Sequence, residues 1–254
     1  MTAIHYTEFN EKVVFVTGAA SGIGAAQAEA FLQQGAFVFG ADIQVGRCQK
    51  LAATYTTQFA YLQGDIRQKS YLKNAIQACE ERFGSIDILL NTAGKLDHYA
   101  PLLEADEALW DLIYATNVKS MYNLTRLVLP HMVEQTKGTI INMASIAGIV
   151  AGGGGIAYTS AKHAIVGFTK QLALDYAEKG IHINALAPGA IETPMNAADF
   201  AGDGEMAQWV ANETPVKRWA QPEEVAAATL FLASNQSSYM QGNILPIDGG
   251  WLLK

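Results

Sequence analysis

Short apolar runs alternate with longer segments of helical period along the chain. The apolar runs are VVFVTG (13–18), AFVFGADI (36–43), FAYLQGDI (59–66), IDILLNTAG (86–94), GTIINMAS (138–145), IHINALAPG (181–189) and NILPIDGG (243–250). Most of these runs lack the strict polar alternation of a half-exposed strand, so they are typical of strands buried on both faces of a parallel sheet. The pattern predicts a sheet with one strand for each run.

Helical patterns separate these runs. They are GIGAAQAEAFLQQG (22–35), RCQKLAATYTTQ (47–58), SYLKNAIQACEERFG (70–84), DEALWDLIYATNVKSMYNLTRLVLPHMVEQ (106–135), AYTSAKHAIVGFTKQLALDYAEKG (157–180) and QPEEVAAATLFLAS (221–234). Buried strands that alternate with helices predict an α/β fold with a doubly wound parallel sheet and helices on both faces. Because no linker or repeat interrupts residues 1–254, we expect a single domain.

The first strand meets the first helix at TGAASGIG (17–24). Its glycines permit a close approach that a Cβ would forbid, and amide N–H groups at a helix N-terminus favour a pyrophosphate. The spacing differs from GxGxxG, and glycine also occurs in ordinary βα turns. The position in the chain favours a dinucleotide site. The candidate residues in this turn are Gly18, Ser21, Gly22, Ile23 and Gly24.

A carboxylate ends the second strand. Asp42 lies 18 residues after Gly24, close to the spacing of about 20 at which an acidic residue accepts hydrogen bonds from the adenosine ribose. A turn or helix-capping aspartate is the alternative. A carboxylate here repels a 2′-phosphate, and the segment ADIQVG (41–46), which includes Ile43, has no arginine. The sequence therefore predicts NAD as the cofactor, with NADH preferred over NADPH.

Other strand ends supply further candidates, because the carboxyl ends of parallel strands border one crevice. Asn117 interrupts an apolar helical pattern and needs a buried partner. Ser145 ends the fifth strand. Asp65 either faces the adenine or is an ordinary surface residue. The candidates on the adenosine side are Asp65, Ile66, Asn91, Ala93 and Gly94.

The segment YTSAK places Tyr158 and Lys162 four residues apart in a helical pattern. At this spacing the two side chains share one helix face, so the ammonium can favour the phenolate. Lowering a tyrosine pKa from about 10 to about 7 takes roughly 4 kcal/mol. One charge at ~4 Å in an effective dielectric near 20 supplies about that much, before desolvation takes some of it back. A surface tyrosine beside a solvated lysine is the other interpretation of these five residues.

Taken together, these motifs resemble the short-chain dehydrogenase/reductase family over nearly the whole chain. The matching features are TGAASGIG, Asp65, NTAG (91–94), Asn117, Ser145, YTSAK, Pro188–Gly189 and Thr193. NTAG stands where the family commonly has NNAG. The resemblance implies an NAD(P)-binding Rossmann fold and interconversion of a ketone and a secondary alcohol.

The resemblance also implies roles for individual residues. Tyr158 would exchange a proton with the substrate oxygen while a hydride moves to or from the nicotinamide. Lys162 would bind the nicotinamide ribose and lower the pKa of Tyr158. Ser145 would hydrogen-bond the substrate oxygen, and Asn117 would hold a water that relays protons from Lys162.

The residues after the sixth strand would contact the nicotinamide end of the cofactor. They are Pro188, Gly189, Ile191 and Thr193. The small and polar stretch that follows predicts a mobile substrate lid at about 190–215. Its apolar residues either line the pocket or pack in the ordinary way: Met195, Phe200, Met206 and Trp209.

Composition narrows the functional class. The chain is 50% hydrophobic with a formal net charge of -7, so the basic surface required for nucleic acid or an anionic membrane is missing. The sequence shows no signal-peptide pattern and no membrane span. Cys48 and Cys79 are far apart and lack metal or redox spacing. We expect a cytoplasmic protein with no catalytic metal that acts on a small-molecule ketone or secondary alcohol. Members of this family form tetramers through surfaces that resemble the helices at 117–135 and 157–180 and the C-terminus of this chain. The resemblance therefore predicts a homotetramer.

Three alternatives remain. A 3-oxoacyl-(acyl-carrier-protein) reductase using NADPH would carry a basic residue in the glycine turn, where this chain has Ser21. An S-adenosylmethionine methyltransferase also combines a glycine turn with an acidic strand end, but it has no need of Tyr158 and Lys162. A dinucleotide sensor would function without Tyr158.

Overall fold

Residues 5–254, the part of the chain that the computed structural model describes, contain one seven-stranded sheet. Residues 1–4 of the predicted domain lie outside the described residues. All adjacent strands pair in parallel, in the order β3-β2-β1-β4-β5-β6-β7. The strands are β1 (Val13–Thr17), β2 (Phe37–Asp42), β3 (Phe59–Gln63), β4 (Ile88–Asn91), β5 (Gly138–Met143), β6 (Ile181–Pro188) and β7 (Ile244–Ile247).

Helices connect the strands, and the predicted doubly wound parallel fold is confirmed. The α-helices are α1 (Gly22–Gln33), α2 (Cys48–Thr54), α3 (Lys69–Phe83), α4 (Glu107–Tyr114), α5 (Ser120–Glu134), α6 (Ile156–Tyr176), α7 (Glu205–Glu213) and α8 (Pro222–Ala233). The helical pattern predicted over 106–135 is divided by a π-helical turn at Ala115–Lys119. This turn contains Asn117, the poor helix former of that segment.

Both faces of the sheet are buried. In β1, Val14 and Val16 belong to the cluster under α1 and α8, whereas Val13 and Phe15 belong to the cluster under α3 and α5. Successive side chains of a strand point to opposite faces, so a strand covered on both sides is apolar at most of its positions. Each large side chain buried in this way contributes roughly 1.5–3 kcal/mol. The sheet is therefore a rigid support for the loops at its carboxyl edge.

The order of the strands fixes where a ligand can bind. β1 pairs with β2 on one side and with β4 on the other, so the chain winds in opposite directions from this point. The loops after β1 and β4 diverge there and leave a crevice at the carboxyl edge of the sheet. The glycine turn and the NTAG segment, which follow these two strands, border that crevice.

A buried chain of side-chain hydrogen bonds joins the two helices on one face to the loop after β4. Gln27 of α1 donates through Nε2 to Thr229 Oγ1 of α8 at 2.8 Å and accepts from Thr92 Oγ1 at 2.6 Å. Gln27 and Thr229 are fully buried. Because a buried amide without a partner is costly, these contacts fix α1 against α8.

Residues 5–254 hold neither a membrane-spanning helix nor a group of metal ligands, and their two cysteines are not paired. Among the helices of residues 5–254, none combines the length and the apolar composition needed to cross a membrane. The same residues contain no group of three His, Cys, Asp or Glu side chains that could hold a metal ion. Cys48 and Cys79 are buried free thiols, and burial raises the pKa of each to about 12.

We expect Thr229→Val to lower the free energy of unfolding by about 1–3 kcal/mol, because Gln27 Nε2 would lose its buried acceptor. Thr54→Val is a matched control, since Thr54 also donates to the carbonyl four residues before it but is exposed. This control should change stability by less than about 0.5 kcal/mol. Urea unfolding measures the free energy of unfolding of both variants. An equal loss of this free energy in the two variants would contradict the role of Gln27.

Candidate active site

The glycine turn packs tightly against the segment after β4. Gly18 has a φ of +74°, and a Cβ on it would lie 3.0 Å from Cα of Ala93. A Cβ on Gly24 would lie 2.1 Å from the carbonyl oxygen of Gly18. Ser21, the N-cap residue of α1, makes no capping hydrogen bond through its side chain. The turn therefore presents an uncapped helix N-terminus at a closely packed backbone, which fits a dinucleotide pyrophosphate.

Thr17 fixes the NTAG segment above β1. Its Oγ1 accepts hydrogen bonds from the backbone N–H groups of Thr92 and Ala93, each at 3.0 Å. Sequence reasoning did not assign a role to this hydroxyl, although Thr17 opens the glycine motif. Asn91, a predicted cofactor contact, is 2% exposed and donates to Thr125 and Asn142 in the interior. In this segment only backbone groups and the small residues Ala93 and Gly94 remain to face a nucleotide.

Asp42 lies at the end of β2 beside the glycine turn. Its Oδ2 accepts from the N–H of Ala20 at 2.9 Å, and its Oδ1 accepts from the N–H of Gln44 at 2.8 Å. These two bonds fix the direction of the carboxylate. Arg47 donates its backbone N–H to the Ala20 carbonyl, but its guanidinium pairs with Glu29. Ile43, next to Asp42, is exposed.

The predicted adenine contact Asp65 lies beyond the end of β3 and is bound by a neighbour. Both carboxylate oxygens accept from the guanidinium of Arg67. This hydrogen bonding holds the pKa of Asp65 below its usual value. Ile66 is buried beside Thr17 and Asn91 around a cavity that can accept about one water. An adenine amine would therefore share the Asp65 carboxylate with Arg67.

The structure brings the predicted catalytic residues together at the carboxyl edge of the sheet. Tyr158 and Lys162 lie one turn apart on α6 and are 8% and 4% exposed, and the Lys162 Nζ is 5.4 Å from the centre of the phenol ring. Lys162 Nζ also donates to the carbonyl of Met143 at 2.7 Å. Ser145 follows β5 instead of ending it, as the N-cap of a 3₁₀ turn, and its Oγ lies 3.4 Å from the Pro188 carbonyl.

Asn117 is held by the π-helical turn. Its amide pairs with the backbone of Lys95 twice, accepting at 2.8 Å and donating at 2.9 Å. A Cβ on Gly94 would lie 3.5 Å from Asn117 Oδ1 and 3.7 Å from Lys162 Nζ. The absence of a side chain at Gly94 therefore leaves space beside both groups. π-helical turns often occur at functional sites, and this one places the amide in the crevice.

Burial dominates the ionisation of the pair on α6. It raises the pKa of Tyr158 to about 12, although hydrogen bonding with Ser145 acts in the opposite direction. It lowers the pKa of Lys162 to about 7. This differs from the expectation that the ammonium brings the phenol pKa toward 7. Desolvation disfavours both charged forms, and in the ligand-free protein it outweighs their mutual attraction.

The segment after β6 lies over the glycine turn. A Cβ on Gly22 would lie 3.2 Å from Cβ of Thr193, which places Thr193 beside the predicted pyrophosphate site. Ile191 is buried and forms a bridge with Ala220, and Gly189 packs against Asp248. Pro188 is the last residue of β6.

The predicted lid contains a 3₁₀ segment (Pro194–Phe200) followed by α7. Each of the four predicted pocket residues in this segment is between 39% and 56% exposed: Met195, Phe200, Met206 and Trp209. The lid therefore presents an apolar surface that the described residues do not cover.

The chain is similar to known proteins over nearly its whole length. A family model described as enoyl-(acyl carrier protein) reductase matches residues 18–252. The chain is 36% identical to the 3-oxoacyl-[acyl-carrier-protein] reductase of Thermotoga maritima, over 95% of this chain and 98% of that protein. It is 34% identical to 3beta-hydroxysteroid dehydrogenase 2 of Eggerthella lenta, over 93% of each.

A structure of ElxO with NADP bound superimposes with a TM-score of 0.88 at 30% identity, covering 96% of this chain and 99% of that one. The extent of these matches exceeds what a shared sheet topology alone would give. The glycine turn and the group of Tyr158, Lys162, Ser145 and Asn117 lie within the matched residues. The chain therefore belongs to the short-chain dehydrogenase/reductase family, oxidoreductases that bind nicotinamide dinucleotides and act on alcohols and ketones.

Proposed function

We propose that this protein is an NAD(H)-dependent dehydrogenase that interconverts a small ketone and the corresponding secondary alcohol, with Tyr158 as the acid and base. The observation that carries the proposal is the burial of Tyr158, Lys162 and Ser145 together, at the sheet edge that also holds the glycine turn. Buried ionisable groups with strongly shifted pKa values in a crevice are typical of an active site.

When bound, a nicotinamide dinucleotide supplies the carbon that accepts or donates a hydride. Ser145 Oγ hydrogen-bonds the substrate oxygen and stabilises charge that develops there. At neutral pH the Tyr158 phenol holds its proton, since its pKa lies near 12, so it is ready to donate that proton to a ketone oxygen. Lys162 would hold the ribose hydroxyls of the nicotinamide dinucleotide, and Asn117 would hold a water beside it for proton exchange with solvent.

The environment of Lys162 supports a functional role. Its amine is 4% exposed, and its hydrogen bond goes to the neutral carbonyl of Met143. Burying an amine with so little compensation lowers the stability of the protein. A residue that costs stability at the edge of a crevice is explained by binding or catalysis, because a methionine would fill the same volume.

The preference for NAD over NADP rests on Asp42. Its carboxylate is fixed beside the glycine turn and would repel a 2′-phosphate. The glycine turn AASGIG (19–24) has no basic residue that could offset this repulsion, and Arg47 is paired with Glu29. NADP in the ElxO structure shows that a relative of similar fold accepts the phosphate. The prediction for this chain therefore depends on its own charges.

A 3-oxoacyl-(acyl-carrier-protein) reductase using NADPH is the second candidate, favoured by the 36% identity to the Thermotoga maritima enzyme. Two features oppose it. The glycine turn has no basic residue, and the chain carries a formal net charge of -7, which would repel an acidic carrier protein.

We further propose that residues 1–254 act as one domain and that residues 190–215 close over the substrate. The exposed apolar residues of this segment support a covering role. We also propose a homotetramer in the cytoplasm. The buried free thiols Cys48 and Cys79 agree with a reducing compartment.

We expect the purified protein to prefer NADH to NADPH, and Asp42→Ala to reduce the ratio of the two kcat/KM values by about tenfold or more, because one repulsive charge is removed. Steady-state kinetics with both cofactors measures this ratio. Asp175→Ala, an exposed change on α6, is the control and should leave the ratio unchanged. Equal use of the two cofactors by the unmodified protein would refute the argument from Asp42.

Turnover should fall by about 100-fold or more in Tyr158→Phe, since general acid catalysis contributes about that much. Affinity for NADH, measured by fluorescence titration, should stay within about twofold, because the ring remains. The assay screens acyclic, cyclic, sugar-derived and acyl-thioester ketones, which also separates the two candidate functions. Tyr122→Phe on α5 is the control. Undiminished turnover in Tyr158→Phe would exclude Tyr158 from the chemistry.

The pKa of Lys162 predicts how stability depends on pH. The unfolded lysine keeps its proton up to about its ordinary value of 10.5, whereas the folded one loses it near 7. The cost of burying it is complete below pH 7 and disappears as the pH rises toward 10.5. Lys162→Met should therefore raise the free energy of unfolding at pH 7, and the gain should shrink by roughly 1.4 kcal/mol per pH unit up to pH 10.

Urea unfolding of the ligand-free protein at several pH values measures this gain. Lys73→Met is the matched control, because its amine lies at an exposed position on α3, and it should not reproduce this gain. A gain in Lys162→Met that is independent of pH would show that burial does not shift the Lys162 pKa.

A further inference from the structure

A buried carboxylate outside the predicted site holds the start of the catalytic helix. Asp97, in the loop after β4, is fully buried. Its Oδ2 accepts from the N–H of Tyr158 at 2.8 Å, and its Oδ1 accepts from the N–H of Gly155 at 2.8 Å and of Tyr99 at 3.2 Å. The Tyr158 backbone that carries the catalytic phenol is therefore bonded directly to a side chain about 60 positions earlier in the chain.

Asp97 supplies a cap that α6 itself lacks. The N-cap residue of α6 is Gly155, which has no side chain to accept from the first helical N–H groups. Asp97 accepts from one of these groups, the N–H of Tyr158, and from the N–H of Gly155 itself, and the carbonyl of Ala100 accepts from the N–H of Ile156 at 3.1 Å. A negative charge at a helix N-terminus is also favourable for the helix dipole. One loop thus satisfies the first turn of the catalytic helix.

The contact with the Asp97 loop explains why the last residue of the glycine run at 152–155, Gly155, is a glycine. A Cβ on Gly155 would lie 2.5 Å from the N atom of Ala100 and 2.6 Å from Oδ2 of Asp97. Its φ of −76° is ordinary for any residue, so the close approach alone requires glycine. The loop and the helix are therefore packed to contact at the place where Asp97 binds.

The loop also carries backbone strain. His98 and Tyr99 have φ values of +56° and +59°, and two successive residues with side chains rarely adopt this left-handed conformation. The strained pair lies between Asp97 and Ala100, which are both fastened to α6. Strain of this kind persists only where the surroundings determine the conformation.

We propose that Asp97 is a positioning residue, which fixes the first turn of α6 and thereby the height of the Tyr158 phenol above the sheet. It acts on Tyr158 through the backbone and through its charge, and it does not touch the reacting atoms. This proposal concerns the same site as the function proposed above. It rests on that function only for the measurement of turnover.

The charge of Asp97 also acts on the phenol. After burial, the nearby charges of Tyr99 and Asp97 raise the pKa of Tyr158, while hydrogen bonding with Ser145 lowers it. Removal of the Asp97 charge should therefore move the ionisation of Tyr158 to lower pH, an effect that a purely structural cap would not have. The titratable and polar groups around Tyr158 are Lys162 on α6, Ser145 after β5, Asp97 and Tyr99 in the loop, and Asp199 of the lid next to Tyr99.

Asp97→Asn is the direct test. The asparagine side chain has nearly the size of the aspartate side chain, but it has only one oxygen to accept hydrogen bonds, where Asp97 uses two. Hydrogen exchange followed by NMR should show the amides of Gly155 and Tyr158 exchanging about tenfold faster or more. In protein labelled with [ζ-13C]tyrosine, the Tyr158 resonance, assigned by its loss in Tyr158→Phe, should titrate at lower pH than in the parent. With an active ketone, kcat should fall by about tenfold or more while the dissociation constant for NADH stays within about twofold.

Asp106→Asn is the matched control. Asp106 is the N-cap residue of α4 and accepts from the N–H of Leu109 at 2.7 Å, so the change also removes a charge that caps a helix, but Asp106 does not contact Tyr158. It should leave kcat and the Tyr158 titration unchanged. An unchanged titration together with unchanged exchange in Asp97→Asn would overturn the proposal, and so would an equal loss of kcat in Asp106→Asn.

If Asp97→Asn does not fold, Gly155→Ala decides the question. The added methyl group displaces the loop and should accelerate exchange of the Tyr158 amide, whereas Gly167→Ala, an open position on the same helix, should not. Parent-like exchange and turnover in Gly155→Ala would also overturn the proposal. If no ketone is reduced by the parent protein, the proposed function fails, but the exchange and titration experiments still test Asp97.

Discussion

The burial of two ionisable side chains on one turn of α6 is the constraint on which the rest of the site depends. Tyr158 and Lys162 are both nearly inaccessible, and desolvation moves their pKa values apart, to about 12 and about 7. At neutral pH the site therefore holds a protonated phenol beside an amine that is about half protonated. Such a pair is sensitive to any charge that enters the crevice, because both groups respond in a low-dielectric environment.

Burying these groups requires support from the rest of the fold. The sheet provides it because both of its faces are covered, so each strand carries apolar side chains at successive positions. The order of the strands then opens the crevice between the loops after β1 and β4. Thr17 and Gln27 tie these loops to the sheet and to α8 through buried hydrogen bonds. The site is thus held by the same contacts that hold the layers together.

The sequence predicted the sheet, its parallel character and the group of catalytic candidates, because these depend on local periodicity and on motifs at strand ends. It could not predict the π-helical turn at Asn117, whose side chain pairs with the backbone of Lys95 in a distant loop. It also missed Asp97, since a contact across about 60 positions leaves no local pattern. The pKa of Tyr158 moved opposite to the expectation, because spacing reveals a nearby charge but not the extent of desolvation.

The two carboxylates of the crevice region illustrate how exposure separates binding from positioning. Asp42 and Asp97 both accept backbone N–H groups through both oxygens. A carboxylate offers about four acceptor sites. Asp42 is partly exposed, so its remaining acceptor sites can be reached from the crevice, which the proposed ribose contact requires. Asp97 is fully buried and accepts three N–H groups. Its hydrogen bonds therefore serve the fold of the catalytic helix, and its charge reaches the chemistry only through Tyr158.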